Sequence, residues 1–151
     1  MTPARRRARK AFPGSVSPAD LEPRRVLLDT HVWLWWQADD ARLGAATRRL
    51  LQRASEVRFS VASAWEIAIK VAIGKLTLPL AADIAAELSR TGFMSLSIEL
   101  AHAEEVRKLP RLHADPFDRM LVAQSRVEGL TLVSADRELA AYGITVLDAR
   151  L

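Results

Sequence analysis

Short runs of β-type residues alternate with helical stretches from Arg25 to the end of the chain. The strand-like runs lie at residues 26–28, 57–62, 95–98, 131–133 and 145–147. The intervals between them carry apolar residues at helical spacing, and the interval before the fourth run stops at Gly129. Such alternation is typical of a parallel sheet with helices on both faces. The sequence therefore predicts an α/β/α sandwich with a central, mostly parallel sheet of about five strands.

The composition is that of one globular domain. The chain has 151 residues, of which 50% are hydrophobic and 26% charged, and about 150 residues is a common domain size. Its longest apolar segment, 61–73, contains Glu66 and Lys70, so we expect no membrane span. Cysteine is absent, which excludes disulfides and thiol nucleophiles and predicts a cytoplasmic location.

Basic residues are concentrated at the N-terminus. Residues 1–25 carry seven Lys or Arg against two acids, a larger surplus than the net charge of +4 of the whole chain, so the remainder is slightly acidic. Residues 1–24 also hold few bulky apolar side chains, too few to offset the entropy lost on ordering. We predict a basic, disordered arm at 1–24 and one domain at 25–151.

Acidic residues recur where the predicted strands end. Asp29 follows the first strand, Glu66 follows the second, Asp115 and Asp118 open the helix before the fourth, and Asp136 follows the fourth. The ligand site of an open α/β sheet lies outside the carboxyl ends of its strands. We therefore expect these carboxylates to share one rim of the sheet.

Helix capping is an alternative explanation for three of these positions. Ser63 and Glu66 have the spacing of a capping box. Asp115 before Pro116 has the pattern of an N-cap, and Asp136 has that of a cap on a short final helix. The acid that ends the first strand has no such helix-start pattern around it.

A cluster of carboxylates requires compensation. At an effective dielectric constant of about 20, two carboxylates about 5 Å apart repel by about 3 kcal/mol, more than the roughly 1 kcal/mol that a cap contributes. An all-oxygen cluster suits Mg²⁺ or Mn²⁺. Such an ion activates water for phosphodiester hydrolysis, and the sequence contains no nucleophile elbow and no phosphate-binding glycine loop.

Four ordered blocks carry a family resemblance. They are Leu-Leu-Asp-Thr-His at 27–31, Ser-Ala-Trp-Glu-Ile at 63–67, Asp-Pro-Phe-Asp-Arg-Met-Leu-Val-Ala-Gln at 115–124 and Leu-Val-Ser-Ala-Asp at 132–136. Together they resemble the PIN domain and, more narrowly, the VapC ribonuclease toxins of type II toxin–antitoxin pairs. The resemblance covers about residues 25–151 and implies a PIN-like sandwich and an Mg²⁺- or Mn²⁺-dependent endoribonuclease.

The resemblance also assigns roles to the acids. It implies that Asp29, Glu66, Asp118 and Asp136 surround the metal ion, with Asp29 and Asp118 as direct ligands and the other two often acting through water. Asp115 is then a neighbouring cap, with an outer role left open.

Several polar residues near these acids are candidates for supporting roles. Thr30 and Ser134 are placed to orient the carboxylates by hydrogen bonds. Arg119 is a candidate for contact with RNA phosphate or with an acid, and a solvated salt bridge is the simpler alternative. His31 and His113 stay outside the catalytic set, because a metal-activated water needs no histidine and either side chain fills a polar niche.

The tryptophans are candidates for the core or for contacts with binding partners. Trp33 and Trp36 lie on one helical face, which favours a core or interface stripe over a platform for stacking RNA bases, a role for which Trp65 is also a candidate. The helix that carries Trp33, Leu34, Trp35 and Trp36 offers more large side chains than one buried face takes. The resemblance implies that this surplus meets a VapB-like antitoxin or a second subunit of a homodimer.

Two other function classes compete with this hypothesis. A catalytically silent PIN-like module that binds RNA or protein would not need all four acids. A receiver-type phospho-acceptor domain would carry paired acids near the first strand and a lysine after a late one, whereas this chain has Arg24 and Arg25 at the first place and Ser134 to Asp136 at the second.

Overall fold

The computed structural model describes residues 15–16, 25–78 and 83–151. One parallel sheet forms its centre, with the strand order β1-β6-β5-β2-β3-β4. In chain order, the strands are β1 (Ser15–Val16), β2 (Arg25–Leu28), β3 (Glu56–Ser60), β4 (Met94–Leu96), β5 (Thr131–Ser134) and β6 (Val146–Asp148). The predicted parallel α/β sheet of about five strands is confirmed, and the two-residue β1 adds a sixth strand at one edge.

Helices cover both faces of the sheet. In chain order, they are α1 (Thr30–Gln37), α2 (Ala45–Arg53), α3 (Val61–Ala72), α4 (Ile84–Thr91), α5 (Leu100–Lys108) and α6 (Pro116–Glu128), followed by a 3₁₀ helix at Arg137–Tyr142. None of the helices in the described ranges combines the length and the apolar character that crossing a membrane requires.

The central strand β2 shows why the core has two halves. Val26 and Leu28 pack into one cluster with residues of α1 to α4, whereas Leu27 packs into a second cluster with residues of α6 and the 3₁₀ helix. Successive side chains of a strand point to opposite faces. All three side chains are fully buried, so both faces are covered and the predicted sandwich is confirmed.

Strand β3 ends earlier than the predicted 57–62. The hydroxyl of Ser60 accepts a hydrogen bond from the amide of Ala62 (3.0 Å) and caps α3, so Val61 and Ala62 are helical. The capping box predicted at Ser63 and Glu66 is therefore wrong, because both residues lie inside the helix. Local spacing alone did not distinguish the two serines.

The predicted N-terminal arm is largely outside the described residues. Its described part is β1, in which Ser15 pairs with Val146 and Val16 with Leu147 of β6. Ser15 and Val16 are therefore a strand where disorder was predicted. The other residues of the predicted arm, with its basic side chains, lie outside the described ranges, and β2 begins at Arg25.

Candidate metal centre

The carboxyl ends of the parallel strands bring the four predicted acids to one rim of the sheet. Asp29 directly follows β2, and Asp136 lies two residues after β5. Glu66 lies in the second turn of α3, the helix that follows β3, and Asp118 lies in the first turn of α6. Each side chain reaches the rim from a different connection, as the strand-end rule predicts.

Asp29 is a buried carboxylate that caps no helix. It occupies the N-cap position of α1 but makes no side-chain capping bond, and only 6% of its surface is exposed. Its Oδ2 accepts a hydrogen bond from the hydroxyl of Ser134 (2.6 Å). Burial raises the pKa of Asp29, although the Ser134 hydrogen bond acts in the opposite direction.

The hydroxyl groups of this rim join neighbouring elements. The Ser134 oxygen that donates to Asp29 also accepts from the amide of Asp136 (3.0 Å), so one side chain connects two of the acids. The hydroxyl of Thr30 instead donates to the Ser63 hydroxyl (2.8 Å) and joins α1 to α3. The side chain of Thr30 thus contacts a neighbouring helix rather than a carboxylate.

Glu66 is accompanied by a cation that sequence reasoning did not select. The Lys70 ammonium lies 2.9 Å from Glu66 Oε2, one helical turn away on α3. This hydrogen bond raises the pKa of Lys70, and the charges of Asp115 and Asp118 act in the same direction. The spacing of four residues between Glu66 and Lys70 was the available signal.

Asp118 experiences the repulsion of its neighbours. Burial and the charges of Asp29 and Asp115 raise its pKa to about 7, with a smaller contribution from Glu66 and an opposing one from His113. These interactions show that Asp118 lies close enough to three other acids to respond to their charge. A bound cation would relieve this repulsion.

His113 lies between two of the acids. Its Nε2 is 3.2 Å from Asp136 Oδ2 and 3.5 Å from Asp118 Oδ2. Its Nδ1 accepts a hydrogen bond from the amide of Asp115 (3.2 Å). His113 thus does more than fill a polar niche, because it contacts two predicted site residues. No local pattern in the sequence signals this contact, since the two acids come from separate segments of the chain.

Asp115 and Arg119 have structural partners. The Asp115 carboxylate accepts from the amides of Phe117 (2.8 Å) and Asp118 (3.1 Å), so its predicted cap is present. Arg119 donates to the Tyr142 hydroxyl and to three backbone carbonyls that include that of Pro110 (2.7 Å). It pairs with no carboxylate within the described ranges, because these oxygens already occupy its guanidinium. Of the alternatives for Arg119, the acid partner and the salt bridge are thus not found there, and contact with RNA phosphate stays a prediction.

The donor chemistry of the rim fits a hard divalent cation. Asp29, Glu66, Asp118 and Asp136 offer carboxylate oxygens, the ligands that Mg²⁺ and Mn²⁺ take. Burial raises the pKa of Asp29 and Asp118 because it disfavours their ionised forms, and a bound cation would favour those forms. A different group, His113, Asp136 and Glu138, has candidate ligand atoms that all lie within 4.8 Å of one another.

The tryptophans of α1 are used mainly in the core. Trp33 and Trp35 are buried, and Trp33 packs against Phe59 with ring centroids 4.9 Å apart. Trp36 is half-buried and packs against Phe93 at 5.2 Å. The expected surplus of large side chains on α1 is therefore reduced to the half-buried Leu34 and Trp36, because helices α2 to α4 cover the rest.

Helix α3 carries a row of exposed apolar side chains. Trp65 is 61% exposed and meets the edge of Phe117 at 5.5 Å. The exposed residues spaced four apart along α3 and its end are Val61, Trp65, Ile69 and Ile73. We call these four residues the α3 stripe. Exposed apolar surface of this kind marks interaction sites.

A groove borders α1 and the segment after α3. Its volume is about 310 Å³, and its lining includes His31, Leu34, Trp35, Asp40, Leu76 and Leu78. His31 is exposed and its charge acts on Asp29, so the groove adjoins the acidic rim. We call it the α1 groove.

The sequence of this chain is similar to those of known proteins. The PIN domain family model matches residues 26–144. Ribonuclease VapC22 of Mycobacterium tuberculosis is 31% identical over 124 residues, which span 78% of this chain and 91% of that protein.

Solved structures show the same fold at low identity. VapBC2 of Rickettsia felis, bound to a DNA fragment from its promoter, has a TM-score of 0.58 at 11% identity over 82% of this chain and 96% of the matched chain. FitAcB of Neisseria gonorrhoeae has a TM-score of 0.55 at 15% identity over 82% and 97%. A toxin–antitoxin complex of Klebsiella pneumoniae has a TM-score of 0.55 at 14% identity over 77% and 90%.

Proposed function

Because the chain belongs to the PIN domain family, we propose that it is a metal-dependent endoribonuclease that acts as the toxin of a type II toxin–antitoxin pair. The observation that carries this proposal is the meeting of four carboxylates at one rim, where the pKa of Asp118 rises to about 7. The similarity of this chain to a VapC ribonuclease supports RNA as the substrate. Membership of the PIN family excludes a receiver-type domain. A catalytically silent PIN module is one outcome of the test below.

The four acids would hold Mg²⁺ or Mn²⁺, with Asp29 and Asp118 as direct ligands. When bound, such an ion supplies an acidified water and neutralises charge on a phosphate. The residues of the chain hold the carboxylates in place: Ser134 donates to Asp29 (2.6 Å), and Lys70 pairs with Glu66 (2.9 Å). Both contacts limit the motion of an acid before an ion arrives.

Cleavage of RNA by the purified protein tests this function. We expect cleavage that requires Mg²⁺ or Mn²⁺ and that is lost in Asp29→Asn and in Asp118→Asn, since each removes a carboxylate charge at nearly constant volume. Glu104→Gln is the matched control, because Glu104 is an exposed acid on α5 that pairs with Arg107. Wild-type metal binding without cleavage of any cellular RNA would favour the silent module.

The α1 groove is the site that we assign to the antitoxin. Its apolar wall of Leu34, Trp35, Leu76 and Leu78 suits an apolar segment, and Asp29, near the His31 end of the groove, suits an arginine of that segment. An arginine placed among the carboxylates would compete with a cation. We propose a short partner that orders on binding, blocks the acidic rim and so inhibits the nuclease.

Leu76→Asp tests this docking site. Expression of the wild-type protein should arrest growth, and co-expression of the antitoxin should restore it. Leu76→Asp should still arrest growth, which shows that it folds, but should bind the antitoxin at least tenfold more weakly. Leu100→Asp, on exposed α5, is the control. Normal neutralisation of Leu76→Asp would place the antitoxin elsewhere.

A second copy of the chain is the partner that we assign to the α3 stripe. The stripe is uncharged and apolar, so the same surface on two subunits can meet across a two-fold axis without burying like charges. Trp65 is its largest exposed side chain, and tryptophan is a frequent interface anchor. Because Trp65 and Phe117 precede Glu66 and Asp118, the interface would border the acidic rim.

A further inference from the structure

The protonation of the His113 ring follows from its contacts. The amide of Asp115 donates to Nδ1 at 3.2 Å, so Nδ1 uses its lone pair as an acceptor. In the neutral imidazole the other nitrogen, Nε2, then carries the proton. The contact with Asp136 Oδ2 (3.2 Å) is therefore an N–H donor facing a carboxylate oxygen.

The position of Asp115 makes this arrangement rigid. The Asp115 carboxylate caps α6 through the amides of Phe117 and Asp118, which holds its own backbone against the start of the helix. The amide that faces His113 thus belongs to an ordered turn. A flip of the ring would remove both the Asp115 contact and the contact with the acids.

This tautomer determines what His113 does for a metal ion. His113, Asp136 and Glu138 are close enough to suggest a mixed nitrogen and oxygen site. A nitrogen that carries a proton has no lone pair for a cation, so in this tautomer Nε2 donates to Asp136 and is not a ligand. The oxygens alone would contact the ion.

From this geometry we propose that His113 is a positioning residue: its Nε2–H donates to Asp136 Oδ2 (3.2 Å), and the same nitrogen lies 3.5 Å from Asp118 Oδ2, so the ring holds the two carboxylates near one point before the cation binds. The inference rests on the proposed function of the acidic rim. Asp118 belongs to α6 and Asp136 to the segment after β5, and two like charges on separate elements would otherwise move apart. The side chain of His113 is 20% exposed, so water competes little for this donor.

Nitrogen spectra of the histidine rings test the tautomer without RNA or metal. In the metal-free protein, we expect the neutral His113 ring to carry its proton on Nε2. His113→Gln identifies its signals. A proton on Nδ1, or a direct shift of Nε2 by a stoichiometric diamagnetic ion such as Mg²⁺, would overturn the proposal.

Metal affinity tests the positioning role. By calorimetry with Mn²⁺, we expect His113→Leu to bind roughly tenfold more weakly, the usual minimum for losing a group that orients a ligand. His113→Gln retains an N–H donor at a similar reach and should stay within about twofold of the wild type. A merely space-filling role predicts equal affinities for both variants, and that result would refute the proposal.

The two proposals can fail separately. A wild-type protein that binds Mn²⁺ and loses affinity in His113→Leu but cleaves no RNA would contradict the nuclease and support the role of His113. A wild-type protein that binds no Mn²⁺ would overturn both. Loss of cleavage with unchanged Mn²⁺ affinity in His113→Leu would overturn the positioning role alone.

Discussion

Asp118 shows how much a single carboxyl group depends on its surroundings. Its ordinary pKa of 3.8 rises to about 7 because burial and the charges of Asp29 and Asp115 disfavour the ionised form. A group whose pKa is raised by folding contributes stability at low pH, and this contribution is lost as the pH rises through the folded value. At the residue scale, the acidic rim therefore lowers stability at neutral and alkaline pH.

The first prediction concerns the pH dependence of the metal-free protein. Between about pH 5 and pH 8, the part of the free energy of unfolding that comes from Asp118 should fall by more than about 1 kcal/mol. Asp118→Asn has no carboxyl group to ionise and should show a smaller decline. Urea unfolding of both proteins at the two pH values measures the difference, and equal declines would contradict the assigned pKa.

The second prediction adds the cation at the higher pH. Mg²⁺ binds the ionised acids of the folded protein, so it should raise the free energy of unfolding at about pH 8 more than at about pH 5. The same titration of Asp29→Asn should give little stabilisation. Equal stabilisation of Asp29→Asn and the wild type by Mg²⁺ would show that Asp29 is not a ligand.

At the scale of elements, residues 149–151 form hydrogen bonds with the start of α2. The Gly44 amide donates to the Ala149 carbonyl (2.9 Å), and the Thr47 amide donates to the Leu151 carbonyl (2.9 Å). A Cβ atom at Gly44 would lie 2.0 Å from the Leu151 carbonyl oxygen. The last residues of the chain therefore satisfy the first amides of a helix distant in sequence, and only glycine leaves them room.

The third prediction follows from this contact. Gly44→Ala should lower the free energy of unfolding by about 1–3 kcal/mol, because backbone must move to relieve the overlap. The same substitution in a chain that lacks residues 150–151 should cost less, since the colliding atoms are gone. Thermal or urea unfolding of the four proteins gives the coupling. A coupling of zero would show that the two segments do not touch.

At the scale of the whole molecule, each of the two apolar surfaces is assigned to a different partner. The α3 stripe is proposed for a second copy, and the α1 groove for an antitoxin. They lie on different helices, α3 and α1, and both adjoin residues of the acidic rim. In the proposed complex, two subunits would pair through the stripe while an antitoxin blocks the acidic rim of each.

The fourth prediction tests the α3 stripe. Trp65→Lys should shift the protein from dimer to monomer in sedimentation or light-scattering measurements, because it places a charge at the centre of the contact. Leu100→Lys is the matched control, since Leu100 is 78% exposed on α5. A wild-type monomer, or an intact dimer of Trp65→Lys, would remove the stripe from the interface.

The sequence by itself determined the order of strands and helices and the set of acids at their ends. These depend on local rules: residue spacing along the chain selects helix or strand, and parallel strands place their carboxyl ends on one side. The strand-end rule selected five acids from the sequence, and the family resemblance then separated Asp29, Glu66, Asp118 and Asp136 from Asp115. The capping position of Asp115 was equally local.

Only the tertiary structure decided which side chains are buried and which charges meet. The tryptophans of α1 could not be assigned to core or surface until helices α2 to α4 covered them, and Trp65 became the exposed one. His113 meets Asp136 across 23 positions of the sequence, a contact with no local signal. Burial and charge proximity depend on the packing of distant elements, whereas secondary structure and strand-end position depend on neighbours along the chain.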